Sequence, residues 1–106
     1  MKLRVLAFVT IMAMSTIGPA KAAVIYDANE ILYSCKQGHL KCIYYLAGVQ
    51  DVWNNLDSKK YCIPDGVKLT ELKKAFIKYA KTNPGKLNLA ASSVAVNAFK
   101  KAFPCE

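Results

Sequence analysis

Apolar residues recur three or four positions apart in four stretches of the chain, the spacing that gathers side chains on one side of an α-helix. This pattern predicts helices over residues 29–36, 40–57, 69–81 and 87–102. No stretch alternates apolar and polar residues for long enough to predict a strand. We therefore expect an all-α fold, a small bundle of about four helices.

The apolar side of each predicted helix should face the core. In the second helix these positions are Cys42, Tyr45, Leu46, Val49, Trp53 and Leu56. In the third they are Leu69, Leu72, Phe76, Tyr79 and Ala80. In the fourth they are Leu87, Ala91, Val94, Ala95, Ala98 and Ala102. Because alanine dominates the last set, the fourth helix should lie close against its neighbours.

Residues that start, stop or interrupt helices fit these boundaries. Asp27 followed by Glu30 matches a capping box ahead of the first helix, and Gly38 is suited to end it. Gly48 lies inside the second helix, where glycine costs about 1 kcal/mol relative to alanine. We expect a neighbouring backbone to approach Gly48 closely.

The first 22 residues have the pattern of a secretory signal. Lys2 and Arg4 precede an apolar run at 5–14, and small residues at positions 20 and 22 fit signal peptidase. A run of that length is too short to span a bilayer. We expect residues 23–106 to form one small domain in the periplasm, without stable membrane insertion.

The chain has four cysteines, an even number that favours two disulfides in an exported protein: Cys35, Cys42, Cys62 and Cys105. Three pairings are possible. If the last two helices fold back on each other, Cys105 returns to the level of Cys62. Gly38 breaks the helix between Cys35 and Cys42, which would otherwise lie about 10.5 Å apart, beyond the roughly 7 Å limit. Helix geometry therefore favours Cys35–Cys42 with Cys62–Cys105, and the bundle should be disulfide-stapled.

The whole chain carries a formal charge of +8, which falls to +5 without the predicted signal. The remaining basic residues are all lysines, whereas arginine is preferred for phosphate and base recognition. We therefore expect no nucleic-acid partner. The four lysines on the outer side of the third helix form either a solvated face or a surface for anionic lipid: Lys73, Lys74, Lys78 and Lys81.

The sequence offers few groups for catalysis. His39 is the single histidine, and it lies in a predicted loop. Paired cysteines would leave no Cys-His nucleophile, and no metal-spaced cluster or haem motif is present. We expect a protein that is not an enzyme and holds no cofactor or metal. Trp53 is either a core residue or an anchor for a partner protein.

Several blocks of residues resemble the Rap/Tai family of immunity proteins. They are Cys-Ile-Tyr-Tyr-Leu-Ala-Gly-Val-Gln-Asp at 42–51, Cys-Ile-Pro at 62–64, the 67–84 segment with Asn-Pro at its end, the alanine-rich 90–98, and Phe-Pro-Cys at 103–105. The resemblance covers about 65 of the 84 residues after the predicted signal. The chain departs from the family pattern at three positions. Lys68 stands where the family usually has a threonine that can cap the helix, Glu71 replaces a glutamine, and Ala80 replaces a leucine.

The resemblance implies an exported helical protein that protects a bacterium from peptidoglycan amidases delivered by the type VI secretion systems of its siblings. It also implies a homodimer that plugs the substrate groove of the amidase. A plug needs a rigid, exposed projection, and the best candidate is the turn between the third and fourth helices, formed by Asn83, Pro84, Gly85 and Lys86. A plain interhelical turn is the alternative for these residues.

Two other functions are compatible with the sequence. Small exported helical proteins with disulfides also serve as acid-stress chaperones. Such a chaperone needs carboxylates or histidines whose charge changes near pH 3–4. With seven acidic residues against twelve lysines, this chain would make only a weak switch of that kind. A membrane-active cationic protein is the second alternative, but the apolar side of the third helix is needed for the core and cannot also insert in a bilayer.

Overall fold

The structure is a computed structural model, and it describes residues 23–56 and 61–106. The predicted secretory signal and the last residue predicted for the second helix lie outside the described residues. The protein forms four helices, α1 (Ala28–Lys36), α2 (Leu40–Asn54), α3 (Leu69–Thr82) and α4 (Ala91–Ala102), with a 3₁₀ turn at Pro84–Lys86. Within the described ranges the one strand-like pairing is a single antiparallel bridge between Asp27 and Ala90. The predicted all-α bundle is confirmed.

The boundaries of α1 follow from its flanking residues. The Oδ1 atom of Asp27 accepts a hydrogen bond from the backbone N–H of Glu30 at 3.0 Å, as an N-cap should. At the other end Gly38 has a φ of +72°, a left-handed conformation that glycine adopts without strain. The backbone N–H of His39 then donates to the carbonyl of Ser34 at 2.9 Å. The predicted glycine stop is confirmed. Of the predicted capping box, the bond accepted by Asp27 is present, whereas the Glu30 carboxylate pairs with Lys41.

Helix α4 begins at Ala91, so the prediction that it begins at residue 87 was wrong. The reason lies in the start of α1. The N–H groups of Ala28 and Asn29 donate to the carbonyls of Leu89 and Leu87, both at 2.9 Å. The first N–H groups of a helix have no partner within it, and here the segment before α4 supplies the acceptors. That segment stays irregular because its carbonyls face α1.

Both predicted disulfides are present. Cys35 and Cys42 are joined with Cα atoms 4.9 Å apart, and Cys62 and Cys105 with Cα atoms 5.0 Å apart. Beside the second bridge, the N–H of Cys62 donates to the carbonyl of Phe103 at 2.8 Å. The ring of Trp53, near the end of α2, stacks on Tyr61 next to Cys62. The end of α2, the segment before α3 and the end of α4 therefore share one pole of the bundle. In consequence α2 and α4 run in the same direction.

The core draws side chains from all four helices. Its largest fully buried members are Phe76, Phe99, Ile31, Leu46 and Leu72. Four positions differ from the burial predicted by the sequence. Leu69, expected to face inward, is 36% exposed because it is the first residue of α3. Phe99 was not assigned to the buried face but is 0% exposed, whereas Ala102 is exposed because α4 ends there. Leu56, expected to face inward, is 44% exposed because α2 ends at Asn54, before that position.

Candidate functional site

The turn at residues 83–86 projects from the bundle between α3 and α4, and its geometry is well defined. The Nδ2 atom of Asn83 donates to the carbonyl of Tyr79 at 2.9 Å, which ties the turn back to the last turn of α3. The N–H of Lys86 donates to the carbonyl of Asn83 at 3.0 Å and closes the 3₁₀ turn that begins at Pro84. These bonds make the projection rigid.

The tip of this turn is exposed, while its base is held by side chains. Pro84, Gly85 and Lys86 are exposed, and a Cβ added to Gly85 would meet nothing within 4 Å. The Nζ atom of Lys86 donates to the hydroxyl of Tyr79 at 3.2 Å and lies 5.8 Å from the centre of its ring. The cation is therefore held beside α3, and the tip of the turn presents mainly backbone and the proline ring.

Trp53, the other residue considered for partner binding, lies partly in the core. Its ring stacks on Tyr61 with centroids 5.6 Å apart and planes 8° apart. Tyr61 in turn meets the ring of Phe99 edge to face at 5.6 Å. Burial raises the pKa of Tyr61 to about 12. The hydroxyl of Tyr61 and the Nε1 atom of Trp53 are buried without a hydrogen-bond partner among the described residues.

The structure does not bring Trp53 and the 83–86 turn together. The turn precedes the start of α4, whereas Trp53 packs through Tyr61 against Phe99 near the end of that helix. The rise from Ala91 to Phe99 alone is about 12 Å. The two features therefore belong to opposite ends of the bundle and cannot form one compact site.

A groove between α2 and α4 was not foreseen from the sequence. It has a volume of about 850 Å³. Its lining residues, none of them charged, are Tyr44, Tyr45, Gly48, Val49, Val52, Trp53, Leu56, Ser92, Ser93, Val96 and Asn97. The expectation of a close neighbouring backbone at Gly48 was wrong, because this residue faces the groove and a Cβ there would meet nothing within 4 Å.

The groove is bordered by apolar residues that follow an oblique line along α2 and continue to Leu56 just past its end; we call this line the α2 stripe. Its residues follow one another at intervals of four: Leu40, Tyr44, Gly48, Val52 and Leu56. The four large members are exposed by 62%, 63%, 66% and 44%, respectively. These exposed residues lie outside the inward-facing positions, so α2 has more apolar surface than the core covers. Reading α2 at a strict four-residue interval from Leu40 would have revealed this stripe.

The charged surface lies elsewhere. Lys74, Lys78 and Lys81 are exposed along α3, and Lys73 is half-buried. Within the described ranges the one ion pair joins Lys41 to Glu30, with Nζ and Oε2 3.2 Å apart. None of the α3 lysines takes part in that ion pair, so together they form a basic face.

The described residues include no group of three His, Cys, Asp or Glu side chains close enough to hold a metal ion. His39 is exposed, and its ring lies 6.2 Å from that of Tyr33. All four cysteines are engaged in disulfides. None of the helices in the part of the chain that the structure describes combines the length and apolar character of a membrane span.

The chain is similar to a known protein family. The model described as Rap1a immunity proteins matches residues 27–105, a span that includes the four helices, the 83–86 turn and both disulfides. No individual curated protein matches the chain. The two disulfides and the family together indicate a protein that is secreted or periplasmic. Since the match covers most of the sequence, the chain belongs to the Rap1a family of immunity proteins.

Proposed function

We propose that this protein binds a peptidoglycan amidase delivered by a type VI secretion system and occludes its active-site groove in the periplasm. It would do so without turning over any substrate itself. The family supports the immunity role and implies a cognate effector. The observation that carries the finer proposal is the rigid, exposed 83–86 turn, because a protein that inhibits by occupying a groove needs a projection that is ordered before binding.

The chemistry of the turn suits this role. Its backbone is fixed by hydrogen bonds from Asn83 and Lys86, so little conformational entropy would be lost on insertion. Its tip at Pro84 and Gly85 is narrow, since neither residue carries a long side chain. Trp53 would then act mainly in packing, because it stacks on Tyr61 at the other end of the bundle.

The lysines of α3 would assist the encounter with the effector. Residues 23–106 carry a net charge of +5. A basic surface attracts an acidic rim over several ångströms and raises the association rate, an effect that salt weakens. We therefore expect the on-rate to fall as ionic strength rises. Periplasmic delivery would depend on residues 1–22 as a cleaved signal, leaving residues 23–106 as the functional domain.

The test is calorimetry of the exported protein against the amidase encoded beside its gene, combined with an assay of peptidoglycan cleavage. We expect a Kd of about 1 nM or below, which corresponds to about −12 kcal/mol, and loss of cleavage at one inhibitor per enzyme. Gly85→Trp should weaken binding strongly while leaving the melting temperature nearly unchanged, because the position is exposed and open.

A matched control is Thr70→Trp, which adds the same ring to an exposed position at the start of α3. It should bind like the unmodified protein. No heat on mixing at micromolar concentrations would refute the proposed target. Equal binding by Gly85→Trp and Thr70→Trp would refute the turn as the plug while leaving the target intact.

A further inference from the structure

We propose that the outer side of α3 is a docking surface for an anionic lipid bilayer, held by lysine charges without insertion. The surface is the outermost part of the basic face, and we call it the lysine ridge: Lys74, Lys78 and Lys81, all exposed. At 3.6 residues per turn the three fall within about 60° of one another, opposite the fully buried Phe76. The ridge therefore presents three positive charges in one direction, along about 10.5 Å of the helix.

The charges of the lysine ridge lack a matching set of acids on their own helix. Lys78 is four residues from Lys74 and three from Lys81, and like charges at these spacings destabilise a helix. The one acidic residue of α3, Glu71, is turned toward the start of the helix, where its Oε1 atom accepts the N–H of Lys68 at 3.0 Å. The helix dipole favours Lys81 in the last turn but does nothing for Lys74. An anionic partner outside the protein accounts for the whole ridge.

The shape and chemistry of the ridge favour a broad, flat partner. The ridge is the convex outer surface of a helix, whereas small ligands bind in concave sites. Its lysines are point charges without the fork geometry by which arginine holds an individual phosphate. The ridge also has none of the aromatic or arginine anchors on which protein interfaces depend. An anionic bilayer needs neither a cleft nor an anchor, and each lysine near its surface strengthens partitioning about fivefold.

Attachment through the ridge should remain at the surface of the bilayer. The apolar side of α3 is buried in the core at Leu72 and Phe76, and Leu69 is the single large apolar residue exposed on this helix. No apolar side is therefore left to insert. Attraction that depends on charge weakens with salt, because the Debye length falls from about 10 Å at 0.1 M to about 3 Å at 1 M. We expect reversible, salt-sensitive binding.

Co-sedimentation of the exported protein with vesicles tests this inference. The probe is a vesicle of equal parts phosphatidylglycerol and phosphatidylcholine, and the reference is a vesicle of phosphatidylcholine alone. At low salt the three lysines should favour the anionic vesicle by about 100-fold, and about 1 M salt should release the protein. Equal partitioning onto the two vesicles, or binding that persists in high salt, would overturn the proposal.

Paired substitutions separate the ridge from the net charge. Lys74→Gln with Lys78→Gln should lower partitioning onto anionic vesicles about 25-fold. The matched control, Lys36→Gln with Lys100→Gln, removes the same charge from exposed positions in the last turns of α1 and α4. It should bind much more tightly than the ridge variant. Both should melt close to the unmodified protein, because all four positions are exposed. Equal losses of vesicle binding would refute the ridge as the docking surface.

An acidic protein is the other partner that these lysines could attract. Association rates of the same two variants with the amidase distinguish this case. A ridge variant that binds vesicles like the control, but associates with the amidase more slowly than the control, would assign the ridge to the protein encounter and refute docking on a bilayer. The vesicle assay contains no amidase, so its result is independent of the proposed inhibition.

Discussion

Tyr61 is the residue whose chemistry is most changed by the fold. Its ring is enclosed by Trp53 on one side and Phe99 on another, and only 3% of the residue is exposed. The hydroxyl has no hydrogen-bond partner among the described residues, so nothing compensates for the removal of water around its charged form. This explains why the pKa of Tyr61 is raised to about 12 from 10.0.

The raised pKa predicts how stability depends on pH. Below pH 10, Tyr61 is protonated in both the folded and unfolded states and contributes no pH dependence. Between about pH 10 and 12 the unfolded chain loses this proton while the folded protein retains it, so the free energy of unfolding falls as pH rises. Tyr61→Phe should remove that part of the decline in urea unfolding measured across this window. An identical slope in both proteins would contradict the assignment.

At the scale of single helices, some features followed from local sequence and others did not. Gly38 ended α1 as expected because a left-handed turn there needs only the glycine itself. The start of α4 could not be read locally, because the carbonyls before Ala91 are held by N–H groups of α1. Phe99 could have been assigned to the core, since it lies four residues after Ala95.

The candidate surfaces, like the helices, include features that local sequence predicts and features that depend on how the helices pack. The proline and glycine of the 83–86 turn predicted an exposed bend from sequence alone. Its separation from Trp53 depends on how α2 and α4 pack, and no local pattern contains that information. The α2 stripe was present in the sequence, but the inward stripe of Cys42, Leu46 and Val49 explained the periodicity of α2 without it.

The N-cap of α1 allows a test at this scale. Asp27→Ala removes the acceptor for the N–H of Glu30 and should lower the free energy of unfolding by about 1 kcal/mol. Asp27→Asn keeps an oxygen acceptor in place and should cost much less. Chemical denaturation of the two variants measures the difference. Equal losses would mean that the negative charge, rather than the hydrogen bond, stabilises the start of the helix.

At the scale of the whole molecule, the two disulfides have different consequences. The Cys62–Cys105 bridge has a sequence separation of 43 residues and holds the segment before α3 against the end of the chain. The Cys35–Cys42 bridge has a separation of 7 residues and fastens a single interhelical loop. A small core supplies limited stability by itself, so we expect the protein to depend on the bridge that closes the larger loop, Cys62–Cys105.

Cys105→Ser should lower the free energy of unfolding by roughly 2–5 kcal/mol, the usual loss for a small secreted domain. Cys35→Ser should cost less, because the entropy gained by an opened loop grows with loop length. In either single variant the partner cysteine would be left as a free thiol that could exchange with the remaining disulfide. The comparison therefore uses two double variants, Cys62→Ser with Cys105→Ser and Cys35→Ser with Cys42→Ser. Thermal melts under the same conditions then rank the two bridges, and equal losses would contradict the loop-length argument.

The hydrogen bonds between the start of α1 and the segment before α4 also determine where the described chain enters the bundle. Ala28 and Asn29 are held against Leu89 and Leu87, so the chain enters the bundle beside the 83–86 turn. Glu106 leaves it at the opposite pole, next to the Cys62–Cys105 bridge. A fluorescent reporter or affinity tag fused ahead of α1 would therefore crowd the proposed plug, whereas one fused after Glu106 would leave it open.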